Sequence, residues 1–265
     1  SIEVRMNESA VDYAASPETV TIDGISATLG AAIGVTSVSI TTLEVDVAGF
    51  VTLSGDLGLK LEGAGVVGVA NNLDASIGAG GFEVGVSDAD LGLRVFDDGT
   101  MLLEAQGGLF LTGGEFASAT AENVLVRYNN SGQNFTGIAI AVDDLDYLFV
   151  DMPSAVDLAV ISVEGFDADF GGFAALSGDF GFKLEAGEVQ VAALVEFAGV
   201  RAGSFTAGLS DGSLGFVQRA DGTSVLEASG ALGIDGGDFA EVSAEAVTLR
   251  FNTTGALYTG ETIVT

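Results

Sequence analysis

The chain has 265 residues, with 8 Lys or Arg and 38 Asp or Glu, so its formal net charge at neutral pH is −30. Such a negative surface repels phosphate backbones and anionic lipid headgroups, which argues against nucleic acid or an acidic membrane as a partner. The sequence has no His and no Cys, which excludes imidazole bases, thiolate nucleophiles and the ordinary zinc and copper sites.

Alternation of apolar and polar residues predicts β-strands along the chain. The first clear runs are residues 38–40 and 53–62, and further runs follow at 82–86, 124–128 and 247–251. The pairs Asp98-Gly99 and Asp221-Gly222 lie between such runs and are the strongest short signal for a hairpin turn. Because no apolar stripe with helical spacing exceeds two turns, the sequence predicts an all-β antiparallel meander.

The chain is a tandem repeat. Residues 51–132 align with residues 174–255 at a constant offset of 123 without a gap, and 37 of the 82 positions are identical. A third partial copy is the tail motif Arg-x-Asn-x-Ser/Thr, which begins at Arg5, Arg127 and Arg250. Internal repeats of this kind predict one structural unit per repeat.

We therefore divide the chain into three parts. Residues 1–19 are the tail of a preceding repeat plus a connector, residues 20–132 are the first unit, and residues 133–265 are the second unit with its tail motif. We therefore interpret the chain as an excerpt from a longer array of repeats. A sandwich-like fold and an elongated β-structure shared across the two units of about 123 residues both fit this pattern.

The few basic residues hold repeated places. Lys60 and Lys183 are the only lysines and lie 123 residues apart, as do Arg127 and Arg250. A fixed cation among many acids most simply pairs with a neighbouring carboxylate, so we predict structural ion pairs for these four residues. The alternative for the lysines is a covalent cross-link to an Asp or Asn side chain, which requires a buried lysine.

Acidic turns are candidate metal sites, because calcium binds oxygen ligands only. Asp88 and Asp98 recur as Asp211 and Asp221, so these four carboxylates are candidate calcium ligands. Calcium is the one cofactor that the sequence suggests, and none is required. Neither an EF-hand loop nor the calcium-binding nonapeptide is present, and solvated acidic turns are the alternative interpretation.

The tail motif also contains the pattern Asn-x-Ser/Thr, at Asn7, Asn129 and Asn252. These three asparagines are candidate glycosylation sites on surface turns. Asn and Thr side chains also cap turns without any glycan, which is the alternative interpretation.

Three motifs carry a resemblance to a known class. The Ser-Gly-Asp-[Leu/Phe]-Gly-[Leu/Phe]-Lys stretches, the Asp-Gly-Thr turns and the Arg-x-Asn tails resemble the tandem β-repeat regions of giant secreted bacterial surface proteins of adhesin or hemagglutinin-like type. The resemblance implies a secreted or cell-surface location and a spacer or adhesive role. The partners it implies are neighbouring copies of the repeat, and glycans or cell surfaces.

Composition limits the remaining function classes. With four Tyr, no Trp and no motif unique to one repeat, we expect no enzyme. Apolar runs fall far short of the roughly 20 residues of a membrane helix, so we expect no transmembrane segment. Residues 1–10 do not form a signal peptide, so an export signal is expected outside this chain. The alternatives are a self-polymerising filament subunit joined by β-strand addition and a carbohydrate-binding module.

Overall fold

The computed structural model describes residues 1–47, 49–114, 116–154, 157–237, 241–257 and 263. Its regular structure consists of seventeen β-strands. The strands are β1 Ile2–Met6, β2 Glu18–Ile22, β3 Ile25–Leu29, β4 Thr36–Val47, β5 Val51–Glu62, β6 Gly65–Ala79, β7 Phe82–Val95, β8 Met101–Gly113, β9 Ala117–Asn129, β10 Ile138–Val142, β11 Leu145–Phe149, β12 Leu158–Phe170, β13 Ala174–Glu185, β14 Glu188–Ala202, β15 Phe205–Gln218, β16 Ser224–Asp235 and β17 Glu241–Asn252.

Thirteen of these strands form one sheet, and every pair of neighbours is antiparallel. The order is β1-β4-β5-β6-β7-β8-β9-β12-β13-β14-β15-β16-β17, and the two remaining pairs, β2–β3 and β10–β11, are separate hairpins. The prediction of an all-β antiparallel meander is confirmed. Of the two arrangements that the sequence left open, the described strands adopt the continuous sheet.

The repeat is visible in the strand order. Strands β4–β9 form the first-unit sheet and β12–β17 form the second-unit sheet, with equivalent positions 123 residues apart. Strand β1 corresponds to the last part of β9 and pairs with β4 in the register in which β9 pairs with β12. The boundary that we placed between residues 19 and 20 falls inside β2, and the boundary between 132 and 133 falls between β9 and β10.

One face of the sheet is apolar across its whole width. Following the pairing from β1 to β17, a single row of side chains crosses all thirteen strands, and every member is apolar. The row is Ile2, Ile40, Leu57, Ala70, Leu91, Ala105, Val126, Ile161, Phe182, Val191, Phe216, Leu226 and Phe251. We call this side the apolar face; at a strand spacing of about 4.8 Å the row is roughly 60 Å long.

The opposite side, which we call the polar face, carries charged and small residues together with a few apolar ones. Its corresponding row in the first-unit sheet is Ser39, Gly58, Val69, Gly92, Glu104 and Arg127. The hairpin β10–β11, which we call the covering hairpin, packs on this face of the first-unit sheet. Together they bury the main core cluster: Val67, Val69, Leu102, Phe135, Ile140, Val142, Leu145, Tyr147, Phe149 and Met152.

A line of β-bulges crosses the strands near their midpoints. Register shifts occur, for example, between Ile40 and Leu43 and between Ser54 and Asp56. Thr42 adopts a positive φ of 57° there, and its amide donates to Asp56 Oδ1 at 2.7 Å. The equivalent amide of Gly165 donates to Asp179 Oδ1 at 2.9 Å. An inserted residue bends its strand, and the neighbouring carboxylate satisfies the exposed amide.

Gly55 and Gly178 stand in the bulge line with φ of 142° and 143°. A Cβ atom on Gly55 would lie 2.9 Å from the carbonyl oxygen of Asn72, and one on Gly178 would collide with the carbonyl oxygen of Leu194. Both the backbone conformation and the available space therefore require glycine here.

We expect Gly55→Ala and Gly178→Ala each to lower the free energy of unfolding by about 1–3 kcal/mol, the cost of a strained backbone conformation. Gly78→Ala is the matched control in the same sheet, because its added Cβ meets no atom closer than 3.5 Å. Chemical denaturation monitored by circular dichroism measures the free energy of unfolding of all three variants. Equal losses at all three positions would contradict the bulge interpretation.

Candidate functional site: the covered and open polar faces

The covering hairpin is fastened to the sheet by one buried carboxylate. Glu104 of β8 is 1% exposed and accepts hydrogen bonds from Arg127 Nε at 3.0 Å, Tyr147 Oη at 3.2 Å and the backbone amide of Val150 at 3.0 Å. Arg127 also donates from Nη1 to Asp151 Oδ2 at 3.1 Å. Because a buried charge is tolerated only when it is paired and hydrogen-bonded, this network fixes the position of the hairpin.

The turn of the covering hairpin is held near the opposite edge of the sheet, on the same polar face, by residues of β1 and β4. Asp143 Oδ1 lies 3.1 Å from Arg5 Nη1 of β1, and Ser37 Oγ of β4 donates to the same carboxylate at 3.1 Å. Hydrogen bonding to Glu3 and the nearby charge of Asp143 raise the pKa of Arg5. The hairpin therefore spans the polar face from β8 to β1.

Two glycines make room for the hairpin. A Cβ on Gly58 would lie 2.9 Å from Val142 Cβ, and a Cβ on Gly92 would collide with the ring of Tyr147. The apolar side chains of the hairpin therefore rest directly on the backbone of β5 and β7. Full burial of each such side chain contributes roughly 1.5–3 kcal/mol.

The second-unit sheet keeps the same positions but no described hairpin covers them. Gly181, Gly215, Glu227 and Arg250 are the counterparts of Gly58, Gly92, Glu104 and Arg127 in one row.

Three of these counterparts, Gly181, Gly215 and Glu227, line an open groove of about 850 Å³, together with Ala192 and Ile263. Arg250 Nε still pairs with Glu227 Oε2 at 3.0 Å, but both side chains are more than half exposed. The hydrogen bond between them lowers the pKa of Glu227 and raises that of Arg250.

The four candidate ion-pair residues differ in their surroundings. Arg127 and Arg250 pair with the glutamates described above, and Lys183 Nζ lies 2.8 Å from Glu185 Oε2. Lys60 has no ion-pair partner among the described residues. Lys183 is 25% exposed, so it is not the fully buried lysine that a covalent cross-link requires.

The candidate calcium ligands do not converge. Asp98 and Asp221 each accept hydrogen bonds at one oxygen from the amide and hydroxyl of the Thr two residues on, Thr100 and Thr223. These bonds lower the pKa of both carboxyls.

Asp88 and Asp211 instead lie in mid-strand with positive φ, and seven residues of extended β7 alone place Asp88 more than roughly 20 Å from the Asp98 turn. Within the described ranges no three acidic residues cluster as metal ligands, and calcium binding stays a prediction.

The candidate glycosylation asparagines organise turns. Asn129 is fully buried and Asn7 is 5% exposed. Each donates from Nδ2 to two backbone carbonyl oxygens, while its Oδ1 accepts from the amide and hydroxyl of the Ser two residues on. Asn252 repeats this turn with Thr254 but is exposed. The Asn-x-Ser/Thr pattern thus has a structural role in all three copies, and attachment of a glycan stays a prediction.

Comparisons of the chain with family models, curated proteins and solved structures find no match. No described segment is a helix that is long and apolar enough to cross a membrane.

We call the hydrogen-bond network of Glu104 the clamp, because it holds the covering hairpin on the sheet. Glu104 and Glu227 form a matched pair for testing it. We expect Glu104→Gln to cost about 1–3 kcal/mol, because the substituted amide replaces one buried acceptor oxygen by a donor facing other donors; Asp151 still pairs with Arg127. Glu227→Gln is expected to leave the unfolding midpoint almost unchanged, because exposed pairs contribute little. Limited proteolysis at the turn after Val142 would show whether the hairpin detaches; similar effects of both substitutions would contradict the clamp.

Tyr147 predicts an alkaline transition. Burial, followed by the neighbouring charge of Glu104, raises the pKa of its phenol above the ordinary value of 10.0. The unfolded chain therefore ionises first, so the stability contributed by the neutral phenol is complete below pH 10 and declines as the pH rises above it. Unfolding free energies measured from pH 8 to 11 should fall more steeply for the parent than for Tyr147→Phe. Equal slopes for the parent and Tyr147→Phe would contradict this prediction.

Proposed function

We propose that the protein is a structural repeat module, an acidic spacer or fibre-building unit displayed outside the cell. The observation that carries this proposal is the seam between the units. Strands β9 and β12 are joined by eleven registered residue pairs, so the boundary between repeats is bonded like the interior of a sheet. Units joined in this way transmit load through backbone hydrogen bonds rather than through a flexible linker.

The distribution of charge supports the same role. The row of the apolar face carries no charged residue, whereas the net charge of −30 falls on the polar face, the edges and the turns. Strong like charge keeps a long assembly with apolar surface soluble and limits lateral aggregation. The extracellular location rests on the resemblance of the repeat motifs to bacterial surface proteins.

A filament subunit is the second candidate, and the uncovered apolar face favours it. Large side chains there stay accessible, for example Leu59 at 57% and Phe251 at 53%. An apolar surface of this extent exceeds the patches that ordinary monomers expose and is typical of an interaction surface. Spacer and filament share the same sheet-building unit and differ in whether separate chains associate.

Hydrogen exchange on the intact chain tests the shared sheet. We expect the amides of β9 and β12 that face each other to exchange as slowly as those between β7 and β8, because both ladders are continuous. Amides at the open edge of β17 serve as the internal fast-exchanging reference. Rapid exchange at the β9–β12 seam would mean that the units fold separately, and the proposal would fail.

Location is measured independently of folding. Antibodies raised against the 265-residue chain should label intact source cells without permeabilisation. Labelling that appears only after permeabilisation would remove the extracellular part of the proposal and leave the shared sheet standing.

A further inference from the structure

The N-terminal hairpin, β2–β3, has one apolar side and nothing described packs on it. Its apolar side chains are strongly accessible, with Ile22 at 72% and Ile25 at 78% exposure. The other side is lined with hydroxyl groups, which pair across the strands from Thr19 to Thr28 and from Thr21 to Ser26. A two-stranded hairpin of this size is marginal in isolation and needs a surface to pack on.

This hairpin matches the covering hairpin position by position at an offset of 120 residues. Both contain five-residue strands in the same register, joined by a two-residue turn that begins with a positive-φ Asp, Asp23 or Asp143. The buried side of the covering hairpin is Ile140, Val142, Leu145, Tyr147 and Phe149. The corresponding residues of the N-terminal hairpin are Val20, Ile22, Ile25, Ala27 and Leu29.

The hairpin cannot cover the open groove of its own chain. Residues 30–35 join β3 to β4 and span at most about 24 Å when fully extended. In the covering hairpin, the amide of Val150 at its base bonds to Glu104 of β8. The equivalent Glu227 lies on β16, ten strand spacings from β4 in the sheet, or roughly 48 Å. Only a second chain can bring β2–β3 onto the second-unit sheet.

The two ends of the sheet are complementary as well. Strand β1 pairs with β4 over only five residues, whereas the equivalent full strand β9 pairs with β12 over eleven. Strand β17, the counterpart of β9, has twelve residues, and one of its edges has no partner among the described strands. If β17 of one copy replaced β1 against β4 of the next, about twice as many residue pairs would form.

The tail asparagines support this exchange. Asn7 donates to the carbonyl oxygen of Ala31 at 2.9 Å, and Asn129 donates to the equivalent oxygen of Pro153 at 2.9 Å. In both cases the acceptor lies in the segment that returns from the hairpin to the sheet. Asn252 makes the local bond of this turn but has no such second acceptor among the described residues. Ala31 of a following copy would supply it.

We propose that two copies of this chain join head to tail. Strand β17 of one copy takes the place of β1 beside β4 of the next, and β2–β3 of that next copy closes over Gly181 and Gly215 of the first, displacing Ile263 from the groove. This inference rests on the proposed structural function and specifies its partner as a second copy. The two surfaces differ, so each bound copy still offers one free end and the assembly grows as an open chain.

Because the chain has no Cys, only introduced cysteines can form a disulfide in a trapping experiment. In the first unit a Cβ on Gly58 would lie 2.9 Å from Val142 Cβ, close to the range that a disulfide spans. We therefore expect a mixture of the single variants Ile22→Cys and Gly181→Cys to give a disulfide-linked heterodimer on mild oxidation. Thr21→Cys mixed with Gly181→Cys is the matched control, because Thr21 lies on the hydroxyl side, and little heterodimer is expected.

A second cysteine position and a second measurement keep the test independent of one variant. Ala192→Cys, which pairs with Gly181 in register, replaces Gly181→Cys if the latter does not fold. Sedimentation of the parent chain should show a mass that rises with concentration beyond the dimer, and Ile22→Asp with Ile25→Asp should abolish that growth without changing the circular dichroism spectrum.

Each other outcome decides against the head-to-tail contact. A monomer at all concentrations without trapping overturns it, as does equal trapping of Ile22→Cys and Thr21→Cys. A closed dimer without the Ile22 cross-link would indicate pairing through the apolar faces instead. In all three cases a slowly exchanging β9–β12 seam would leave the proposed function intact, so the two failures are distinguishable.

Discussion

Eleven residue pairs join β9 to β12 across the boundary between the two repeats, and the other features of the molecule depend on this backbone ladder. Among the described strands, it converts two sequence repeats into one sheet with two free edges. Since a sheet presents alternate side chains to opposite sides, a single ladder also aligns the apolar positions of both units on one side. The continuity of the apolar face across both units follows from that alignment.

The acidic residues have local tasks in addition to giving the chain its charge. Asp56 and Asp179 satisfy amides freed by bulges, Asp98 and Asp221 close turns, and Glu104 fastens a hairpin. In each of these positions the carboxylate accepts at least one hydrogen bond from an amide or a side chain. A chain with so many acids therefore uses some of them as acceptors where the backbone leaves the regular ladder.

The strands were predictable because alternation such as that of residues 53–62 depends only on local backbone geometry. The same pattern recurs in the second repeat, which gave a second, independent indication. The clamp was not predictable, because the partners of Glu104 lie 23, 43 and 46 residues further along the chain and periodicity carries no information about distant contacts. The persistence of Glu104 as Glu227 and of Gly58 as Gly181 was the available signal. The calcium prediction placed both Asp88 and Asp98 in acidic turns. Asp88 instead lies inside a strand, at a β-bulge, where the same residue types occur as in turns.

The pairing across the seam is staggered. Arg127 lies opposite Val160, which is equivalent to Ser37, while the polar-face row of the first unit starts at Ser39. Crossing one repeat thus displaces the pattern by two residues along the strand direction, about 7 Å, for every six strands or roughly 29 Å of width. Any array built with this seam is a slanted ribbon, in which equivalent side chains follow a diagonal. That slant adds to the right-handed twist that the strands of a sheet accumulate, and its origin is the register of a single strand pair.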